Sequence, residues 1–288
     1  MKRIAVGILC VMLIFTVACG ESRPARLAEG SVEFNDKNYP TVCVTPLTEN
    51  MGINMTTAVL GCDRDTAAAV ITVCDTTDEC YRRLIDGECD IVIAHSFGKG
   101  ITEKLGTTAL TLTETELCSD ALVFMTNVSS GVDTLSAEQI TSLYNGEITD
   151  WSALGGAELP VTLFGQRTGT AVQNAFEKHI SPDITVPPVN KTIVSSSGTF
   201  SAEIGYDNRD GALGYTLLSL VAGGNSSVSL VKLDGVAPSK ETVSAGEYRF
   251  AVPVNAVIRS SEAANSYTRV LYEWMILQQG RLSMGNLY

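Results

Sequence analysis

Short apolar runs alternate along the chain with segments in which apolar residues recur at helical spacing. The runs TVCV, AVITVC, CDIVIAHS and DALVFMTN predict strands at 41–44, 69–74, 89–96 and 120–127. Their nearly continuous apolar character is typical of strands that are covered on both faces, as in a parallel sheet.

Three segments near these runs have the spacing and the end signals of helices. The first covers 50–60. The second, DECYRRLIDGE, brings Tyr81 and Leu84 to one face before Gly87 ends it. In the third, SAEQITSLYNG, Ser136 is a capping residue and a glycine closes the segment. Strands separated by helices predict an α/β fold, in which ligands bind where the carboxyl ends of strands lead into helices.

The stretch LFGQRTGTAVQNAFEK, at 163–178, predicts such a turn from a strand into a helix. Arg167 stands at the turn and is followed by Thr168, Gly169 and Thr170. Helix N-termini carry unpaired N–H groups and a partial positive charge, and a guanidinium adds a planar fork of donors. The turn is therefore a candidate oxyanion site, although taken alone it also fits an ordinary helix cap beside a solvated arginine.

The composition restricts the class of protein. The 288 residues are 45% hydrophobic and 18% charged, which excludes a disordered chain or a coiled coil and leaves ample core for one large domain or two lobes. The formal net charge of −12 argues against nucleic acid or an anionic membrane surface as a partner, because both need a basic face. A small pocket of N–H groups and one arginine can still hold an anion.

The N-terminus has the pattern of an export signal. Two basic residues precede an apolar run at 4–17 that is too short for a membrane span, and the sequence TVAC closes this region. This ending resembles a bacterial lipobox, in which the cysteine is lipidated; a plain secretory signal is the alternative. We predict a signal peptide at 1–18, lipidation of Cys19, a tether at 19–30, and an extracytoplasmic protein anchored to the bacterial cell membrane.

Six cysteines remain in the mature chain beyond the lipidated one. An even number in an exported chain predicts disulfides, whose pairing the sequence does not determine; buried free thiols are the alternative. No CxxC motif occurs, and the two histidines, His95 and His179, are far apart, so neither a zinc site nor a cofactor is expected. The six are Cys43, Cys62, Cys74, Cys80, Cys89 and Cys118.

Several motifs, taken in order, resemble one family. TLSAEQITSLYNGEITDWSALGG resembles the entry to the second lobe of the phosphate-binding proteins of ABC transporters. YPTVCVTPLTEN, YRRLIDGECDIVIA and GALGYTLLSLV resemble their first strand and loop, their second helix and strand, and their return segment. LVKLDGVAPSKETVSAGEYRFAVPVNAVI and YEWMILQQGRLSMGNLY resemble their C-terminal part, with DGVAP and GEY the most specific. The resemblance covers nearly the whole mature chain.

This resemblance implies a two-lobed type II periplasmic-binding-protein fold, with a ligand cleft between α/β lobes that are joined by crossing strands. Residues 31–118 and 216–288 would form lobe 1, and residues 119–215 would form lobe 2. The implied function is capture of a small oxyanion, phosphate above all, by a monomeric lipoprotein that serves an ABC permease and ATPase. The membrane would be contacted through the lipid anchor only, and nucleic acid is not an expected partner.

The first two anion loops of the family fall on the turns after the first two predicted strands. The first corresponds to Val44 and Thr45, where Pro46 removes one backbone donor from the family's Asp-Gly-Ser-Thr type of turn. The second corresponds to Thr77, a hydroxyl donor, and to Asp78, which fits a helix cap equally well.

The other two positions are the end of the third predicted strand and the arginine turn. The family commonly has a carboxylate after the strand matched by IVIA, where this chain has His95 and Ser96, and its arginine loop is matched with slightly shortened spacing. A buried acceptor favours protonated phosphate over sulfate. Because this chain lacks the carboxylate that the family commonly has after this strand, we predict a site that depends on Arg167 and discriminates phosphate from sulfate poorly. The predicted ligand-binding residues are Val44, Thr45, Thr77, Asp78, Ser96, Arg167, Thr168, Gly169 and Thr170.

Two other functions compete with capture of an anion. His95 stands where an enzyme could carry a catalytic group, but no nucleophile–base motif accompanies it, and the carboxylates Asp207 and Asp210 fit a solvated turn, so we do not expect an enzyme. The second alternative is a lipoprotein that kept the scaffold but lost phosphate binding and acts as a sensor or interaction module. The altered first loop supports this alternative.

Overall fold

The structure is a computed structural model. It describes residues 33–180, 191–194, 204, 210–221, 227–277, 281–282, 284–285 and 287. The predicted signal peptide, the lipidation site Cys19, the tether and Asp207 lie outside the described residues.

Strands and helices alternate through the first part of the chain, so the predicted α/β class is confirmed. The strands are β1 Val42–Val44, β2 Ile71–Val73, β3 Ile91–His95, β4 Leu112–Asn127, β5 Thr134–Leu135, β6 Thr162–Gln166, β7 Lys191–Val194, β8 Ala212–Leu217, β9 Val228–Leu230, β10 Lys232–Leu233 and β11 Ala251–Arg259. The helices are α1 Glu49–Leu60, α2 Arg64–Val70, α3 Thr77–Ile85, α4 Lys99–Gly106, α5 Ala137–Tyr144, α6 Ala171–His179, α7 Lys240–Ser244 and α8 Tyr267–Ile276.

Within the described residues the main sheet has the strand order β2-β1-β3-β11-β4-β8-β6-β7, and β9 adds to β4. Strand β1 is parallel to both of its neighbours, and β6 is parallel to β7 and β8. Strands β4 and β11 are antiparallel to each other. Strand β4 pairs with β11 along Leu112–Ala121 and with β8 along Leu122–Thr126, so this one long strand connects the two parallel regions.

The hydrophobic core has two parts, which we call the first core and the second core. The first core covers both faces of β1 and β3, because Val42 and Val44 pack on one side and Cys43 on the other. The second core surrounds β6, β8 and the end of β4. It also takes Val243 of α7 and Tyr248, so the segment that leads into β11 packs on the second core.

Two of the predicted strands differ from the structure. Ala69 and Val70 belong to α2 rather than to a strand, because Asp63 caps that helix by accepting a hydrogen bond from the N–H of Thr66 at 2.8 Å. The apolar run 120–127 forms the end of β4, which is antiparallel to its neighbours. Such a run signals burial on both faces, and burial does not depend on strand direction.

The six cysteines of the described region are free thiols in the structure, so the predicted disulfides stay a prediction. None of the helices within the described ranges is long and apolar enough to cross a membrane.

Candidate functional site

Four turns meet where the carboxyl ends of the parallel strands of the two cores face each other. Three follow β1, β2 and β3, and the fourth connects β6 to α6. Direct bonds join three of them, since the N–H of Asp78 donates to the carbonyl of Gly169 at 3.1 Å and the N–H of Gly98 donates to Asp78 Oδ1 at 2.9 Å. We call this place the loop junction; its residues are Thr45, Asp75–Asp78, Ser96–Gly98, Arg167–Thr170 and Asn174.

Arg167 binds a carboxylate of the opposite turn. Its Nη1 lies 2.8 Å from Asp75 Oδ2, and its Nη2 donates to the Asp75 carbonyl at 3.4 Å. The arginine side chain is 47% exposed and the aspartate 72% exposed, so water reaches both. The hydrogen bond from Arg167, together with its charge, lowers the pKa of Asp75. The guanidinium therefore already has an anionic partner, but a solvated one that a second anion can compete with.

Asp78 is the most connected group of the junction. Its Oδ1 accepts from the N–H of Gly98 at 2.9 Å and from Nδ2 of Asn174 at 2.8 Å. Both of these hydrogen bonds go to Oδ1, and neither goes to Oδ2. A methyl group placed on Gly169 would lie 3.3 Å from Asp78 Cβ, and φ there is +79°, so a glycine is needed for this approach. The carboxylate thus lies directly between the two sides.

The alternative role of Asp78 as a helix cap is wrong. Thr76 is the N-cap of α3, and its Oγ1 accepts from the N–H of Glu79 at 3.1 Å. Asp78 is the second residue of α3, two positions after the cap, and its side chain reaches across to Gly98 and Asn174.

The two threonines predicted on the first core differ in what their hydroxyls contact. Thr45 is buried, its N–H donates to Thr48 Oγ1 at 3.0 Å, and its own hydroxyl lies 3.2 Å from the same oxygen. Thr77 is only 1% exposed, and its Oγ1 has no hydrogen-bond partner among the described residues. An unsatisfied buried hydroxyl costs about 1–3 kcal/mol. The Thr77 hydroxyl would therefore gain stability from any hydrogen-bond partner that reaches it.

The remaining predicted residues contribute mainly backbone. Val44 is buried, and its carbonyl accepts from the N–H of Cys74 at 2.7 Å. Ser96 is half-buried, and its carbonyl lies 3.4 Å from Asn174 Nδ2. Thr168 is exposed. Thr170 caps α6, with Oγ1 accepting from the N–H of Gln173 at 3.3 Å and donating to the carbonyl of Arg167 at 2.7 Å.

Five residues of the junction are absent from the predicted ligand-binding residues: Asp75, Thr76, Phe97, Gly98 and Asn174. Asn174 lies one helical turn after the cap Thr170, and it is buried although polar. A Cβ at Gly98 would collide with the Asn174 side chain. Gln173 and Asn174 are polar residues among the buried positions of α6, and such residues need buried partners, which is a signal in the sequence that could have drawn attention to Asn174.

His95 does not reach the junction. It is fully buried, and its Nε2 lies 3.3 Å from Asp120 Oδ2. Asp120 also accepts from the N–H groups of Ala121 and Ser219 and from the Ser219 hydroxyl. Although burial raises the pKa of Asp120, the hydrogen bonds from His95, Ser219 and Ala121 lower it below its ordinary value. We call these three side chains, His95, Asp120 and Ser219, the seam cluster, because they join β3, β4 and the turn after β8.

An open cavity of about 360 Å³ adjoins the junction and shares four of its residues. Two carboxylates, Glu114 and Glu177, and two ammonium groups, Lys99 and Lys178, lie on its wall, so it presents no single sign of charge. Burial raises the pKa of Glu114, which lies on this wall. The lining residues are Ser96, Phe97, Gly98, Lys99, Thr102, Glu114, Asn174, Glu177 and Lys178. No group of three or more metal-ligating side chains occurs in the described part of the chain.

Comparisons with known proteins agree with this architecture. A family model described as a PBP superfamily domain matches residues 57–277. The phosphate-binding protein PstS of Bacillus subtilis is 26% identical over 146 residues, which are 51% of this chain and 47% of that protein. PstS of Borreliella burgdorferi is 23% identical over 148 residues, 47% of this chain and 50% of that protein. The chain spans about half the length of the curated relatives it matches.

Solved structures share the fold over more of the chain. A phosphate ABC transporter substrate-binding protein of Clostridium perfringens with bound phosphate has a TM-score of 0.61 at 23% identity, covering 84% of this chain and 96% of the other. An ABC-type phosphate transport receptor of Vibrio cholerae has a TM-score of 0.65 at 17% identity, with 85% and 96% covered. These likenesses place the chain in a known fold.

Proposed function

Because this chain belongs to the PBP superfamily, we propose that it is an extracytoplasmic solute-binding lipoprotein that captures inorganic phosphate, or a similar oxyanion, for an ABC importer. Its partners would be a permease and an ATPase, and it would reach the membrane through lipidated Cys19. The protein would act as a monomer and without a cofactor. The names of the relatives and the chemistry of the loop junction support the proposal.

The observation that carries the proposal is the meeting of two helix N-termini and one arginine at the loop junction. Helices α3 and α6 both begin there, and the N–H of Asp78, in the first turn of α3, already binds the carbonyl of Gly169. Unpaired N–H groups at helix N-termini favour anions. Thr77 adds a buried hydroxyl with no partner among the described residues. Arg167 supplies the charge.

Binding would be an exchange of partners. In the structure Asp75 and Asp78 are the anions of the junction, and they hold its two sides together through Arg167, Asn174 and the backbone. An incoming oxyanion would take the guanidinium of Arg167 from Asp75 and would give the Thr77 hydroxyl a partner. The ion pair between Arg167 and Asp75 is exposed to water, so breaking it costs little free energy. Two charge-assisted hydrogen bonds from the guanidinium to the oxyanion would offset that cost.

Asp78 would set the choice of anion. At neutral pH phosphate carries a proton and sulfate carries none, so a buried carboxylate accepts a hydrogen bond from phosphate and repels sulfate. Oδ1 of Asp78 is bound on the protein side, which leaves Oδ2 for the ligand. This placement favours phosphate and argues against the poor discrimination predicted from the sequence, which left open whether Asp78 serves as the acceptor or only caps its helix.

The lobe boundaries 31–118, 119–215 and 216–288 stay a proposal. The packing of Val243 and Tyr248 on the second core favours assigning the segment before β11 to lobe 2. We propose that β4 and β11 are the crossing strands at which the two lobes close around a ligand.

Titration calorimetry with phosphate and sulfate tests the function. Wild-type protein should bind phosphate, and Arg167→Ala should lose roughly one to two decades of affinity with the charge-assisted fork. Arg249→Ala is the matched control, since Arg249 is also exposed and paired, with Asp234 at 3.1 Å, but lies outside the junction. Equal affinity of wild type and Arg167→Ala would remove this turn from the site. No binding of either anion by wild type would contradict the proposed function.

A further inference from the structure

Four of the six cysteines lie together in one buried cluster of the first core. Cys43 is on β1, Cys74 follows β2, Cys80 is on α3, and Cys89 precedes β3. Each is at most 2% exposed. The other two cysteines, Cys62 and Cys118, are half-buried and pack against a different cluster. In the sequence α1, α2, β2 and α3 lie between Cys43 and Cys89, and the fold brings the four thiols together.

The contacts among the four thiols form a chain rather than a ring. Cys43 is within hydrogen-bonding reach of both Cys74 and Cys89, and Cys74 is also within reach of Cys80. The order along the chain of contacts is therefore Cys89, Cys43, Cys74, Cys80. Only one set of two disulfides joins every thiol to a neighbour in this order. A bond between the middle thiols, Cys43 and Cys74, would leave Cys89 and Cys80 without a neighbouring thiol to pair with.

We propose that the exported protein carries two disulfides, Cys74–Cys80 and Cys43–Cys89. This inference rests on the cysteine cluster and is independent of the proposed function. The oxidant would be a small-molecule disulfide such as oxidised glutathione, or a dithiol oxidase. A protein thiolate attacks its sulfur and releases one reduced thiol, and the neighbouring protein thiolate then displaces the second, so each bond formed costs two protons and two electrons.

Oxidation has to precede closure of the core. Hydrogen bonds with the neighbouring thiols, together with burial, raise the pKa of Cys43 and of Cys80, whereas hydrogen bonds with those two thiols lower the pKa of Cys74 to about 4. All four thiols are at most 2% exposed, so burial keeps an oxidant from them once the core has closed. A thiol that stays protonated and buried reacts slowly with any oxidant. The bonds would therefore form during folding after export, in a compartment where disulfides persist.

The position of the first bond links it to the loop junction. The segment that Cys74 and Cys80 would close contains Asp75, Thr77 and Asp78. A bond across its two ends limits the conformations of the turn in the unfolded chain and holds it in the folded one. The second bond would join β1 to the segment before β3, at the amino end of that strand.

Peptide mapping of the wild-type chain, exported into an oxidising compartment, tests the pairing directly. The protein is denatured in a maleimide without reductant and digested with trypsin. We expect segment 65–82, which holds Cys74 and Cys80, to be unlabelled and lighter by two hydrogen atoms than its reduced form. Segment 38–64 should be linked to segment 84–99, which holds Cys89. Because segment 38–64 also contains Cys62, the map is repeated with Cys62→Ala, in which the link should persist.

Other maps would overturn the proposal. Four labelled cluster cysteines would show free thiols, and a link from 38–64 to 65–82 would show the middle pair joined instead. A metal ion that copurifies in a one-to-one ratio and protects the thiols until acid is added would assign the cluster to metal binding.

Thermal unfolding gives a second readout. Under oxidising conditions, Cys43→Ala with Cys89→Ala should lower the melting temperature by roughly 5 °C or more relative to Cys62→Ala with Cys118→Ala. Reduction during folding should lower the wild type by a similar amount and leave the cluster variant less affected. A reductant effect of the same size in both would contradict the second bond.

Discussion

Two polar clusters lie side by side in this molecule and have opposite characters. Ser96 belongs to the loop junction, whereas His95, the residue before it, belongs to the seam cluster. At the junction the charges of Arg167 and Asp75 are solvated, and the Thr77 hydroxyl has no partner among the described residues. In the seam cluster Asp120 is fully buried and accepts several hydrogen bonds, while His95 Nδ1 is buried without a hydrogen-bond partner among the described residues.

This difference predicts how substitutions in each cluster should affect stability and ligand binding. A buried carboxylate with several donors contributes to stability and has no spare capacity for a ligand. A solvated ion pair can be replaced by contacts with a ligand at a small cost in free energy, and an unsatisfied hydroxyl gains a hydrogen bond when a ligand binds it. Substitutions in the seam cluster should therefore change the free energy of unfolding, and substitutions at the junction should change binding.

The largest effect is expected from Asp120→Ala. This substitution leaves the Ser219 hydroxyl, two backbone N–H groups and His95 without their buried acceptor, so we expect a loss of roughly 3–5 kcal/mol in the free energy of unfolding. Denaturant unfolding followed by circular dichroism measures it. Asp133→Ala is the control, because that aspartate is exposed and pairs with Lys232 on the surface. A change no larger than in the control would mean that the seam cluster isn't structural.

The same residue should give a pH dependence. The pKa of Asp120 is lowered in the folded state, so its contribution is present above the unfolded-state value of about 3.9 and is lost as the pH falls through the folded value. Asp120→Asn cannot titrate. The gap in unfolding free energy between wild type and Asp120→Asn should therefore shrink as the pH is lowered below about 4. A gap that is constant from neutral pH to pH 3 would contradict this sign.

At the junction, Asp78→Asn should reduce the selectivity of binding. If Asp78 accepts the proton of phosphate, the amide should lower the ratio of phosphate to sulfate affinity by roughly tenfold, through weaker phosphate binding and less repulsion of sulfate. Competition calorimetry measures the ratio. Asp86→Asn is a suitable control, since Asp86 pairs with Lys104 away from the junction. An unchanged ratio would assign selectivity to another group.

The smallest effect, with the opposite sign, is expected from Asp75→Asn. Removing this carboxylate releases Arg167 from its ion pair, so phosphate affinity should rise by roughly two- to fivefold at low salt and by less at high salt. Calorimetry at two ionic strengths checks both parts. Weaker binding in Asp75→Asn would show that the carboxylate helps to position the site instead of competing for the arginine.

Much of the local structure could be predicted from the sequence. The helix predicted at 50–60 is α1, and Ser136 caps α5 by accepting from the N–H of Gln139 at 3.1 Å. The turn at Arg167 does connect a strand to a helix capped by Thr170. Periodicity and capping depend on residues within one or two turns of each other, so they can be recognised without knowledge of the fold.

The sequence by itself thus determined the α/β class, most strands and helices, and the candidate turn. Only the tertiary structure decided what each polar group contacts: that Arg167 pairs with Asp75, that Asp78 binds Gly98 and Asn174, and that His95 is buried. It also decided which cysteines are neighbours and that β4 is antiparallel. These facts depend on contacts between residues far apart in the chain, whose energies are set by packing and burial, and neither is a property of a short segment.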